Sequence, residues 1–244
     1  MRHFLLAGLA ISLCVAPASA LPPSNEKTLE HAGEVLDELN KIPFKGIPAA
    51  LLADAQGVAI IPRVIKAGFV VGGRGGHGIV IAKDKDGNWG DPVFVDLGGA
   101  SVGFQAGVES TDVVLVFRNR KSLDRVLDGK GKLTLGADAS VAAGPVGRMA
   151  AAATDAKLEA EIVSYSRSRG LFAGVSLDGA AIHANANSNA MFQQPGRDAE
   201  KKLADGLKMK LTELSKEKPA PAPAMPAPTT PPVLSTPVPL PMRP

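Results

Sequence analysis

The sequence has few of the side chains on which common catalytic and structural sites depend. Of its 244 residues one is cysteine, four are histidine and only 4% are aromatic. The cysteine, Cys14, lies in the apolar amino-terminal run, so the rest of the chain can form neither a disulfide bond nor a thiol nucleophile. The later histidines, His31, His77 and His183, are far apart and form no HExxH or other short metal-ligand spacing. These absences exclude disulfide scaffolds and thiol catalysis, and they argue against a metal enzyme.

Long apolar runs and a strong charge balance are also missing. The formal net charge is +3 and the isoelectric point is near 9.0, which permits anionic partners but is too weak to indicate nucleic acid binding. After the amino terminus no apolar run is long enough to cross a bilayer. The nucleophile motif GxSxG and the phosphate-loop motif GxxxxGK[ST] are absent. We therefore expect a non-enzymatic protein without a cofactor that does not bind nucleic acid.

The first 20 residues have the pattern of a secretory signal peptide. A short basic end precedes the apolar stretch Phe4–Val15, and the small residues Ala18–Ala20 form a typical cleavage sequence. This pattern predicts removal of residues 1–20 and a mature chain that starts at Leu21. It also predicts export to the periplasm or the extracellular space, where the protein would attach to the outside of a membrane.

Glycine and proline, by contrast, are plentiful, and their distribution divides the chain. Most of the 26 glycines lie between residues 57 and 179 beside short apolar runs, a pattern typical of strands joined by turns. Many of the 20 prolines lie near the carboxyl terminus. We expect a main domain at 21–195, an amphipathic helix at 196–218 and a disordered tail at 219–244, whose removal should leave the stability of the domain unchanged.

The apolar pattern of the main domain predicts a sheet with flanking helices. Apolar residues recur with helical spacing over Leu29–Leu39 and leave an acidic face exposed. Val113–Phe117 is apolar at every position, as expected of a strand covered on both faces. Lys83–Asn88 contains an Asp-Gly pair and predicts a hairpin turn. Together these features predict an α+β fold: a strongly bent antiparallel sheet or small barrel, over about residues 57–183, with flanking helices.

One glycine run, Gly72–Gly78, matches the spacing GxGxxG of dinucleotide-binding loops. Such a loop must open a helix whose amino terminus holds the pyrophosphate, whereas strand-like residues, Ile79–Ala82, follow here. We interpret the run as a sharp turn or bulge between strands, with Arg74 and His77 exposed on it.

The stretch Leu135–Gly179 mixes small residues with a few polar ones. Apolar and charged residues alternate from Ala156 to Ile162, which favours a strand, although the spacing also fits a helix. Residues Ser164–Arg169 are interpreted as the exposed edge of a sheet. Their serines could act as nucleophiles only if a histidine or lysine base lay nearby.

The same stretch carries a family resemblance. The runs Gly136–Arg148 and Ser164–Gly174, with Val175–Gly179 after them, are similar to the SYLF domain family. Upstream motifs match the family in the same order: Gly57–Pro62, Lys66–Gly73, Trp89–Pro92, Gly103–Gly107 and Asp112–Phe117. The resemblance covers about residues 42–192 and implies a lipid-binding module, which in some fungal members also binds actin, without enzyme chemistry.

Basic residues at presumed strand ends and turns form the candidate binding surface. Arg167 and Arg169 are two residues apart in a predicted strand and project from one face, and Arg148 lies in the preceding family motif. Each cation near an anionic membrane contributes about 1 kcal/mol. Alternatively, both arginines are structural and pair with Glu159 or Glu161. The predicted lipid-binding residues are Lys66, Arg74, Arg118, Arg120, Lys121, Arg148, Arg167 and Arg169.

Two functions of different kinds compete at this point. The first is an exported module that docks on anionic membrane lipid, for which phosphoinositides and actin would be poor partners because both lie inside the cell. The second is a protein-interaction or envelope-scaffold domain, with the proline-rich tail as a tether or ligand. An unrecognised hydrolase is a third reading.

Overall fold

The structure is a computed structural model of the chain, and it describes residues 23–41, 47–68, 71–102, 107–129, 131–144, 160–168, 171–174, 177 and 179–216. Within these residues five helices and nine strands are present. The helices are α1 (Asn25–Lys41), α2 (Ala49–Asp54), α3 (Arg120–Leu127), α4 (Ala186–Phe192) and α5 (Asp198–Lys216). The strands are β1 (Gly57–Gly68), β2 (Val71–Lys83), β3 (Trp89–Val102), β4 (Gly107–Phe117), β5 (Leu133–Thr134), β6 (Val141–Ala143), β7 (Ile162–Ser168), β8 (Leu171–Gly174) and β9 (Ala181–Ala184).

Several predictions from the sequence concern residues outside these ranges. They are the signal peptide at 1–20, the tail at 219–244, the basic residues Arg148 and Arg169, and most of the alternating run before Ile162. These remain predictions.

The strands form one curled sheet in the order β5-β9-β3-β2-β1-β4-β7-β6, and β8 pairs with β7 beside this path. The long strands β1 to β4 pair antiparallel in its centre. The pair of β6 with β7 is parallel, so the sheet is mixed rather than wholly antiparallel. The predicted α+β fold, a strongly bent sheet with flanking helices, is confirmed.

Both faces of the sheet are covered, and each has its own hydrophobic core. Val114 and Val116 of β4 belong to one core with residues of α1 and α5; we call this side of the sheet the helix face. Val113, Leu115 and Phe117 belong to the other core, on the opposite face, which includes residues of α3. All five side chains are at most 2% exposed. The prediction of a strand buried on both faces is therefore confirmed.

Helices α1 and α5 pack against each other and against the helix face of the sheet. Leu29 and Leu36 of α1 and Leu207 and Leu211 of α5 are buried in the same cluster, which confirms the helical spacing read from the sequence. Among the described helices none is long and apolar enough to span a membrane.

The glycine run Gly72–Gly78 is part of strand β2, so of the two interpretations, turn or bulge, the turn is wrong, and a bulge lies opposite the run in β1. A Cβ atom at Gly78 would lie 2.3 Å from the carbonyl oxygen of Ile60 and 2.7 Å from the Cα of Ile61. The register of β1 against β2 shifts just after Ile60, and Arg63 has a φ of 50°, which marks a bulge. The two backbones approach so closely beside this bulge that only a hydrogen atom fits as a side chain.

Strand β7 is not the exposed edge that the sequence indicated. Ser164 and Tyr165 are fully buried: β7 lies between β4 and β6 in the sheet, and the Tyr165 ring belongs to the core on the helix face. The Ser164 hydroxyl donates to the carbonyl oxygen of Ala142 at 3.1 Å. A Cβ at Gly144 would lie 2.1 Å from the Tyr165 ring, and burial raises the pKa of the Tyr165 phenol. The neighbouring strand β6 lies about 20 residues upstream of β7, so the local sequence pattern gave no sign that β7 is flanked on that side.

We expect Gly78→Ala to lower the free energy of unfolding by about 3 kcal/mol, because the added methyl group must displace the backbone of β1. Gly73→Ala is the matched control in the same strand, since its Cβ would lie 3.9 Å from the Gly99 carbonyl oxygen. Urea unfolding of both variants measures the difference. Equal stabilities would contradict this account of the close strand contact.

Candidate functional site

Two of the predicted basic residues are brought together by the pairing of β1 with β2. Lys66 lies directly opposite Arg74 in the register, so the two side chains project from the same face of the sheet. Lys66 is exposed and Arg74 is half-buried. The Nε atom of Arg74 is buried without a hydrogen-bond partner among the described residues. On the other side of Lys66, Glu109 of β4 occupies the same row and partly offsets the positive charge.

Three further predicted residues lie at the opposite end of the sheet. Arg118, Arg120 and Lys121 follow β4 directly, whereas Lys66 is paired with the start of that strand at Glu109. The intervening part of β4 is roughly 27 Å long at 3.4 Å per residue. The described basic residues therefore do not all share one rim.

Arg120, in the first turn of α3, forms hydrogen bonds within the fold. Its Nη1 donates to the carbonyl oxygen of Lys83 at 2.8 Å, and its Nε donates to Asp124 at 2.8 Å. The Lys83 amine in turn donates to the carbonyl oxygens of Leu52 and Ala53 at the end of α2, and partial burial lowers its pKa. Arg120 thus joins α3 to the end of β2, and the Lys83 side chain joins the end of β2 to α2.

Arg167 lies on the helix face and bridges β4, β7 and α1. Its Nε and Nη2 donate to Oδ2 of Asp112 at 2.8 and 2.6 Å, and its Nη1 lies 2.9 Å from Oε2 of Glu38. The Arg167 side chain is 20% exposed and that of Asp112 12%. The Oδ1 of Asp112 also accepts the backbone N–H of Arg63 at 2.9 Å. This geometry agrees with the structural alternative for Arg167, although Asp112 and Glu38 were not the predicted partners.

A cluster that the sequence did not reveal forms around Asp96. The register places His77, Asp96 and His183 side by side on β2, β3 and β9. His77 Nδ1 hydrogen-bonds to Asp96, and His183 Nε2 lies 3.8 Å from the same carboxylate. Asp96 also accepts from Asn185 at 2.9 Å, and Asn185 caps α4 by accepting the N–H of Ser188. The cluster therefore ties the start of α4 to the sheet.

We find no arrangement for a metal in the part of the chain that the structure describes. No group of three or more histidine, cysteine, aspartate or glutamate side chains is placed there to hold an ion. Three strands must pair before His77 and His183 approach Asp96, so their spacing in the sequence carried no signal.

A protein-family comparison covers much of this fold. The model of the Ysc84 family, described as "Las17-binding protein actin regulator", matches residues 98–215, from within β3 to near the end of α5. The chain belongs to the SYLF family. The resemblance predicted from the sequence motifs is confirmed, and the match includes α5 as well as strands β4 to β9.

Curated relatives agree with this assignment. The chain is 40% identical over 176 residues to the human SH3 domain-containing YSC84-like protein 1, a match that covers 70% of this chain and 51% of the relative. It is 43% identical over 148 residues to Protein YSC84 of Saccharomyces cerevisiae, which covers 60% of this chain and 31% of the relative. The chain spans about half the length, or less, of these relatives. No solved structure matches it.

These relatives contradict the predicted export of the SYLF-family chain. The family description is that of an actin regulator, and actin is a protein of the cell interior. The prediction of a periplasmic or extracellular protein is therefore wrong. The argument that actin is a poor partner depended on export and falls with it. The family description is that of a binding protein and actin regulator.

We expect Arg167→Gln to lower the free energy of unfolding by about 3 kcal/mol, because it leaves the largely buried Asp112 carboxylate without its guanidinium partner. Arg125→Gln is the control: its ion pair with Asp138 spans 3.5 Å between half-exposed side chains and should contribute less than about 0.5 kcal/mol. Urea unfolding compares the two variants. If both lose the same small amount, Arg167 does not hold β7 and α1 together.

Proposed function

We propose that this chain is a non-enzymatic protein-binding module of actin regulation, and that its partner is a Las17-type protein or actin itself. The observation that carries the proposal is the match of the family model to residues 98–215. That segment contains the end of β3, strands β4 to β9 and the helix that packs on α1, so it is a substantial part of the folded domain. A relative named "LAS seventeen-binding protein 3" is 41% identical over 148 residues, which supports a protein partner.

The buried polar groups of the domain also support binding rather than catalysis. Ser164, one of the serines considered as a nucleophile, is fully buried and donates its hydroxyl proton to a backbone carbonyl. A substrate cannot reach it without opening the sheet. Arg167 donates two hydrogen bonds to Asp112, and this pair connects secondary-structure elements of the fold.

Anionic lipid is a second candidate partner, and one observation favours it. Lys66 and Arg74 project from the same face in directly paired positions, and the Nε of Arg74 has no hydrogen-bond partner among the described residues. A guanidinium beside an ammonium group is a suitable pair of donors for a phosphate. This pair replaces Arg167 as the centre of the proposed lipid surface, because the Arg167 guanidinium already contacts two carboxylates.

For the protein partner, we expect one of two results. The full chain, when immobilised, retains purified Las17 of Saccharomyces cerevisiae, or the full chain in solution co-sediments with actin filaments. The Gly73→Ala variant, which preserves the fold, should behave as wild type. Capture is measured by quantitative blotting against a bystander protein of similar net charge. Retention of neither Las17 nor actin would overturn the proposed function.

For the lipid partner, we expect Lys66→Gln/Arg74→Gln to weaken binding to phosphatidylserine vesicles by about 2 kcal/mol, since each cation contributes about 1 kcal/mol at an anionic surface. The matched control Lys85→Gln/Lys201→Gln removes two positive charges from exposed positions elsewhere. Vesicle co-sedimentation at low salt compares them. An equal loss in both variants would mean that net charge, and not the paired site, drives the binding.

A further inference from the structure

A groove of about 650 Å³ runs between α1 and α5. Its apolar lining includes Leu29 of α1 and Leu203 and Leu207 of α5. Leu29 and Leu207 are almost fully buried and Leu203 is partly exposed. The groove therefore has a leucine floor between two helical walls, the geometry with which a third helix can pack.

Two glycines keep this groove open. No heavy atom of the described chain lies within 4 Å of the place where a Cβ at Gly206 would stand. At Gly33 the nearest atoms are the Lys210 amine at 3.6 Å and a Leu207 methyl group at 3.8 Å. Glycine within a helix is about 1 kcal/mol less favourable than alanine. At Gly206 a larger side chain would fit the fold, so the fold itself does not require the glycine.

The α1 side of the groove is an acidic wall of four carboxylates, and Lys202 and Lys210 of α5 line the side opposite it. Glu34 and Asp37 each pair with a cation of the same chain. Glu26 and Glu30 are exposed and form no ion pair with any residue that the structure describes. Residues four apart lie on one side of a helix, about 6 Å from each other. The wall consists of Glu26, Glu30, Glu34 and Asp37.

We propose that the groove between α1 and α5 docks a basic amphipathic helix of a partner protein. Lysine or arginine side chains four residues apart on that helix match the spacing of Glu26 and Glu30. Its apolar side chains pack on the leucine floor. An anionic bilayer is not the occupant, because lipid phosphates and the acidic wall repel each other. The inference gives the proposed protein binding a location and a partner chemistry, and to that extent it rests on the proposed function.

The test uses the full chain and a labelled peptide of about 18 residues, built from Ala and Leu with Lys at every fourth position, a length at which such a sequence is helical. Fluorescence anisotropy should show saturable binding that weakens as salt is added. A peptide with Glu in place of Lys should not bind.

Two variants of the chain separate charge from shape. Glu26→Gln/Glu30→Gln should weaken peptide binding about fivefold, as expected for two exposed ion pairs. Gly206→Leu fills the groove and should weaken binding at least about tenfold. Its melting temperature should stay the same or rise, because leucine favours the helix over glycine. Loss of binding in this variant is therefore not explained by unfolding.

The control Asp86→Asn/Asp128→Asn removes the same charge from exposed positions outside the groove and should leave the affinity within about twofold of wild type. Three outcomes would overturn the proposal that a helix docks in the groove. They are the absence of saturable binding by wild type, an affinity of Gly206→Leu equal to that of wild type, and an equal loss of affinity in the control. If Gly206→Leu captures Las17 or actin as well as wild type does, the groove is not the docking site, and the proposed function still holds. Peptide binding that Gly206→Leu abolishes, without capture of Las17 or actin, supports the groove and overturns the proposed function.

Discussion

The carboxylate of Asp112 holds together three parts of this fold that are distant in sequence. It accepts the N–H of Arg63, in the bulge of β1, and two donors of Arg167 on β7. Arg167 extends the connection to Glu38 on α1. A bulge with a positive φ is unfavourable for arginine, and a hydrogen bond from its N–H to a largely buried carboxylate stabilises it. The bulge of β1, strand β7 and helix α1 are thus connected through this one carboxylate and its arginine.

This arrangement determines where charge is available for a partner. The bend brings β1 so close to β2 that glycine is required at position 78, and beyond the bend Lys66 and Arg74 stand side by side. Arg167, which sequence alone made the centre of the basic surface, is used inside the fold instead. Positive side chains remain at two separate ends of the sheet, whereas negative ones follow α1. Surfaces of opposite charge suit different partners, because a charged partner that is attracted to one surface is repelled by the other.

Membership of the SYLF family changes which partners are reasonable. Relatives that are about 40% identical to this chain over the matched segment are named for SH3 domains or for binding Las17, and each match covers only part of the relative. A domain whose sheet is buried on both faces and carries a helix pair on one side presents a rigid surface to a binding partner. The groove between α1 and α5, of which only the α5 side lies within the segment that the family model matches, is a candidate surface of this kind. The paired cations of β1 and β2 form a separate one.

The sequence by itself determined the elements with strong local signals. Continuous apolar character made β4 a strand buried on both faces, helical spacing placed α1 and α5, and an Asp-Gly pair marked the hairpin that contains Gly87, whose φ is 83°. The ordered motifs also identified the family. These signals are local, because side-chain periodicity and turn chemistry act within a few residues.

Only the tertiary structure decided which residues meet. It placed the glycine run inside β2, because close approach to β1 requires glycine just as a turn does. It buried Ser164 and Tyr165 in β7, which lies between β4 and a strand from about 20 residues upstream, gathered His77 and His183 around Asp96, and paired Lys66 with Arg74. It also gave Arg167 carboxylate partners 55 and 129 positions away in the chain. Strand register and helix packing set these contacts, and neither is encoded in the spacing of neighbouring residues.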